Sequence, residues 1–221
     1  MHAEELVENY PQLFHMAEAN TWSSIRKRGL LSTSGLLDMF EINGEKRYQI
    51  ESCHRPECVA ISHPGLGTAV IRDQKPMSDA ALRKCLQNMN PRHWYETLNR
   101  KVFFWVNRER LLGLLSARAY RSRKHCVLTL DTSRMVERHL ARITLSSINS
   151  GSTVYNPQPR GVQTFQPIAS YPFDHWLKKR RSRTKAVVEL AVDYAVSDIA
   201  DLALRVDHMQ GDELLETVWP A

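Results

Sequence analysis

The run Lys185–Val192, KAVVELAV, constrains this chain most. Ala186, Val187, Val188, Leu190, Ala191 and Val192 read as a strongly hydrophobic strand, and a single carboxylate, Glu189, lies inside it. An ionised carboxylate in a fully buried strand costs several kcal/mol unless it is paired. Two arrangements meet that condition. In the first, strand alternation turns Glu189 to solvent or to an arginine, as an ordinary edge residue. In the second, Glu189 points into a cleft beside a substrate.

The remaining pattern is helices mixed with short strands. Asn20 or Thr21 caps a helix carrying Trp22 and Ile25, and Gly29 ends it as a left-handed cap. Residues 34–75, rich in Gly and Pro, read as irregular. So long a stretch is uncommon in a compact domain unless it is a functional loop or an insertion. Ser78 caps a helix that stops near Asn90-Pro91, and a short helix carries Trp94 and Leu98. Val102–Val106, VFFWV, is an aromatic and β-branched strand, followed by a leucine-rich helix from Arg108 to Ala117. Cys126–Leu130 is the next strand, with Asp131 or Ser133 capping a helix after it, and Arg142–Leu145 is a weaker strand. Pro172–Arg181 is helical, Asp198–Leu202 is a turn of helix, and Ala203–Val206 is the last strand. The elements do not alternate as in a doubly wound sheet, and no GxGxxG or GxxxxGK[ST] occurs. The expectation is one α+β domain over residues 1–221, with an irregular insertion at about 34–75.

The chain carries a net charge of +6. The excess is uneven: four basic residues fall in Arg118–Lys124 and six in Lys178–Lys185. Such runs are solvated faces or polyanion contacts. No apolar run approaches the ~20 residues of a membrane helix, and the N-terminus lacks a secretory pattern, so a cytoplasmic address without membrane contact is expected. Disulfides are then not expected among Cys53, Cys58, Cys85 and Cys126. Cys53, Cys58 and His63 are each five apart, wider than the close pairs of zinc sites, so no metal is expected.

Three segments together resemble the ADP-ribosyltransferase superfamily. Phe14-His15, followed by Trp22, Ile25, Gly29, Leu30 and Leu31, is similar to its opening motif, a strand ending in His, then a helix and Gly-Leu. Val102–Arg108 resembles its aromatic second strand, especially that of DarT-like bacterial nucleic-acid ADP-ribosyltransferase toxins. Ala186–Ile199 resembles its third motif, the strand of the catalytic Glu. The three occur in the expected order. The small polar residue usual two positions after the His is Ala17 here.

The resemblance implies a short-stranded split central sheet flanked by helices, with NAD as co-substrate. His15 would bond a ribose hydroxyl, Phe104 or Trp105 would stack beside the nicotinamide, and Arg108 or Arg160 would hold the pyrophosphate. Glu189 would stabilise the oxocarbenium-like centre formed as the glycosidic bond breaks. Tyr155 and Arg160 would orient the acceptor, and Lys178, Lys179, Arg180 and Arg181 would hold it if it is DNA or RNA. A toxin role would bring a separate antitoxin protein. An RNA 2′-phosphotransferase or an NAD glycohydrolase on the same fold, or a nucleic-acid-binding module without catalysis, are the alternatives.

Overall fold

Buried apolar strands need partners on both edges and cover on both faces, and here they assemble into one large sheet. The structure, a computed structural model, describes residues 1–220. The chain begins with α1 (Ala3–Asn9), β1 (Gln12–Glu18), α2 (Trp22–Arg28) and β2 (Leu30–Leu31). Next come α3 (Thr33–Met39), α4 (Gly44–Glu51), β3 (Val59–His63) and β4 (Gly67–Ile71). Helix α5 (Asp79–Cys85), β5 (Leu86–Gln87) and α6 (Pro91–Asn99) lead to β6 (Lys101–Trp105) and α7 (Arg108–Leu115). Then follow β7 (Lys124–Asp131), α8 (Thr132–His139), β8 (Ile143–Ser146), β9 (Arg160–Gly161), β10 (Gln166–Pro167), α9 (Phe173–Arg180) and α10 (Arg183–Ala186). The chain closes with β11 (Glu189–Asp193), β12 (Ala195–Val196), α11 (Ile199–Leu202), β13 (Ala203–Gln210) and β14 (Glu213–Trp219).

Eight strands form one sheet in the order β10-β8-β11-β6-β1-β7-β13-β14, every neighbouring pair antiparallel. Pleat alternation sorts its side chains. Leu13, Phe104, Leu128, Leu190 and Val206 share one cluster with Leu6 and Tyr10, Trp22 of α2, Met135 of α8 and Leu202 of α11. Phe14, Met16, Val127 and Met209 face the other way, onto Leu111 and Leu115 of α7. Each fully buried Leu contributes about 1.5–3 kcal/mol of apolar transfer. The class is therefore α+β, an antiparallel sheet with helices against it.

The ladder is weakest at its middle. Strands β1 and β7 pair over all seven residues of β1, and β6 and β11 over five. Strands β1 and β6 share one position, Phe14 opposite Trp105. The sheet thus parts between β1 and β6, four strands on each side.

The structure corrects four expectations. Residues 34–75 are not irregular: α3, α4 and the β3–β4 hairpin occupy most of them, around a small core of Leu37, Phe40, Ile50, Ile61 and Ile71. The hydrophobic run at 185–192 does not begin as strand. Arg183–Ala186 is a helical turn, the Val187 N–H donates to the Tyr10 hydroxyl at 3.0 Å, and β11 starts at Glu189. The chain also does not end its strands near Val206, because β13 runs to Gln210 and turns into β14. At Gly29 φ is positive but ψ extended (85°, 167°), so the residue is not a left-handed cap. Only a residue without Cβ fits there, since a Cβ would lie 2.7 Å from the Ser197 Cα.

Candidate functional site

The parting between β1 and β6 leaves the Phe103 carbonyl of β6 without a ladder partner from β1. His15 fills that role with its side chain, Nδ1 lying 2.8 Å from the Phe103 oxygen. A carbonyl only accepts, so Nδ1 carries the proton and Nε2 keeps a free lone pair. The Phe104 ring backs the imidazole at a centroid distance of 5.7 Å. Burial drops the His15 pKa to about 4; the Phe103 carbonyl opposes this and the Arg72 charge adds to it. At neutral pH His15 is therefore a fixed, uncharged hydrogen-bond acceptor.

Glu189 begins β11, two strands away. The register sets it opposite Trp105, which is opposite Phe14, so these three share one row and one face. His15 lies on the alternate pleat. Because the sheet is parted beside it, both residues nonetheless line one cavity of about 410 Å³, within the roughly 300–1,000 Å³ of small-molecule sites. Glu189 is 5% exposed. Its two carboxylate oxygens share one donor, the Ser150 N–H, at 3.2 Å each. Burial raises its pKa from the ordinary 4.5 to about 7, against the Ser150 hydroxyl and amide and the charges of Arg160 and Arg110.

The other expected site residues divide. Trp105 is half-buried and lines the cavity, and so does Phe103, which is not among the expected residues. Phe104 also lines the cavity but is fully buried, its ring packed in the core and against His15. Arg108 is exposed at the start of α7 and does not line the cavity. Arg160 is 2% exposed; its Nη1 donates to the Ser150 carbonyl at 2.9 Å and its Nε to the Gln158 carbonyl at 3.1 Å. Tyr155 is 90% exposed on the loop between β8 and β9. Lys178, Lys179 and Arg181 are exposed at the end of α9. Arg180 is half-buried, with Nη2 on the Ser147 carbonyl at 3.0 Å, and its charge reaches Arg110, which in turn acts on Glu189. The basic run therefore adjoins the Glu189 side of the site without lining the cavity.

Three contributors come from residues that carry no motif. Ser150 supplies the carboxylate's donor. Arg72, at the end of the β3–β4 hairpin, is half-buried in the cavity wall, with its guanidinium 5.1 Å from the Tyr120 ring and Nη1 3.4 Å from the Met16 carbonyl. Arg55, 6% exposed, ties this hairpin down, bonding the Arg72 and Ile50 carbonyls and the Asn99 side chain at 3.2 Å. Each of these arginines sits in a stretch without periodicity, and only tertiary folding brings it to the cleft.

Among the described residues no group of three or more His, Cys, Asp or Glu gathers as a metal site, and no helix is long and apolar enough to cross a membrane. All four cysteines are free. Residues 11–203 match a family of unknown function (DUF7002). No curated protein and no solved structure matches the chain.

Proposed function

The chain belongs to that family of unknown function, and from the site we propose that it is an NAD-dependent ADP-ribosyltransferase. One observation carries the reading. The three segments that resemble the superfamily's motifs, far apart in sequence, are consecutive strands β11-β6-β1 around the parting of the sheet, with His15, Trp105 and Glu189 all on one cavity.

The residues suit the chemistry. Breaking the C1′–N bond of NAD sends the bonding pair to the nicotinamide nitrogen, which leaves neutral, so no strong general acid is needed. The ribose carbon becomes oxocarbenium-like, and a fixed carboxylate beside it lowers the barrier. With a pKa of about 7 Glu189 is partly protonated when the site is empty, and a cationic ligand favours its charged form. His15 offers Nε2 to a ribose hydroxyl. Trp105 offers an aromatic face to the nicotinamide. Arg72, rather than Arg108 or Arg160, is the cavity-wall cation suited to the pyrophosphate. An RNA 2′-phosphotransferase does not need a carboxylate at the third motif, so the buried Glu189 disfavours that alternative. The exposed Lys178, Lys179 and Arg181, joined to the Glu189 side through Arg180 and Arg110, favour a nucleic-acid acceptor.

Release of nicotinamide from NAD tests the reading. The wild-type protein turns over and Glu189→Gln does not. Absence of turnover, with NAD leaving the melting temperature unchanged, refutes it.

A further inference from the structure

Arg160 is buried without an ion pair in hydrogen-bonding contact, which is costly for a guanidinium. The chain holds it there firmly. Gly161 after it pairs with Gln87 in the parallel β5–β9 contact, and a Cβ at Gly161 would lie 2.2 Å from the Gln87 carbonyl oxygen. The guanidinium lies 5.8 Å over the Trp94 ring. Its Nη1 donates to the carbonyl of Ser150, and the N–H of that same residue donates to both oxygens of Glu189. Three residues beyond Ser150, Thr153 is tied separately to Pro76 and Ser78, at 2.8 Å each.

We propose that Arg160 is a positioning residue for Glu189: it fixes the Ser150 peptide so that its N–H meets the carboxylate, and its charge favours the ionised form. The inference rests on Glu189 being the catalytic group. The charged groups around Glu189 are Arg160 from β9 and Arg110 from α7, with Arg180 of α9 and Tyr10 beside Arg110. Arg160 is the one of these that also bonds the peptide donating to the carboxylate. Burial lowers the Arg160 pKa, while Cys85 and Glu189 act to raise it.

The test is a double-mutant cycle of wild type, R160M, E189Q and R160M/E189Q, melted at pH 5 and pH 8. At pH 8 R160M lowers Tm several degrees further with Glu189 present than with Gln at that position. At pH 5, where the carboxyl is protonated, the difference disappears. In nicotinamide release the acid limb of R160M moves up by about one pH unit, and R160K keeps it near the wild-type position. Equal Tm losses in both backgrounds at pH 8 overturn the proposal. If R160M does not fold, R160Q keeps a donor for the Ser150 carbonyl but loses the charge. Its acid limb then moves up while that of R160K stays, and an unmoved limb in R160Q overturns the proposal. A wild type that releases no nicotinamide counts against the transferase reading alone, because the melting cycle still reports the coupling of Arg160 to Glu189.

Discussion

Replacing Glu189 with Gln should make the protein more stable, and only above the acid range. The carboxyl is 5% exposed and its pKa is raised from 4.5 to about 7. A rise of that size corresponds to about 3 kcal/mol between protonation states. The sign follows from linkage. A group whose folded pKa is raised contributes full stability below its unfolded pKa and loses it as pH rises through the folded value. Wild-type protein therefore loses about 3 kcal/mol from this residue between pH 4 and pH 8. Gln keeps the shape, accepts from the Ser150 N–H and never charges, so the variant escapes that loss. The raised pKa already includes the carboxylate's attraction to Arg160 and Arg110, so E189Q should gain about 3 kcal/mol at pH 8, or roughly 6–12 °C in Tm for a chain this long. At pH 5 the two proteins should melt within about 2 °C of each other. Calorimetry at matched pH cancels the other titrating groups. A variant no more stable at pH 8 than at pH 5, relative to wild type, would show that Glu189 is not a strained buried acid.

Other residues give sharper, local outcomes. Arg72→Ala removes a charge-assisted contact to the pyrophosphate, so NAD should bind about 10- to 100-fold more weakly by calorimetric titration; unchanged affinity removes Arg72 from the site. His15→Ala removes one neutral acceptor and should cost about tenfold in kcat/KM for nicotinamide release. Since the His15 pKa is about 4, the pH profile should show no limb from this residue above pH 5. Gly161→Ala drives a Cβ against the Gln87 carbonyl and should destabilise by about 1–3 kcal/mol in denaturant unfolding.

The central strands were legible because buried β-branched and aromatic runs have one sensible fate. VFFWV and CVLTL became β6 and β7 nearly as read, and Asp131 became a helix cap accepting from Arg134 N, whereas Asn90-Pro91, expected to stop the helix from Ser78, begins α6 instead, α5 having ended at Cys85. What failed was short or exposed. Helix α4 buries a single residue, Ile50, so it shows no apolar stripe. Strand β14, ELLETVW, is mostly exposed and lacks alternation. Val187 and Val188 look like strand, but the chain enters β11 from a helical turn and Tyr10 takes up the Val187 amide. Glu189 stood out because a lone carboxylate among valines needs a reason. Ser150 and Arg72 did not, because a serine in a loop and an arginine after a hairpin acquire meaning only through contacts distant in sequence.

The most direct test is the pH dependence of nicotinamide release from NAD by the free protein. The account predicts turnover that rises through about pH 7 as Glu189 ionises, stays level above it, and vanishes in Glu189→Gln while NAD still raises Tm. Turnover that survives in Glu189→Gln, or a wild type that neither turns over nor is stabilised by NAD, contradicts it.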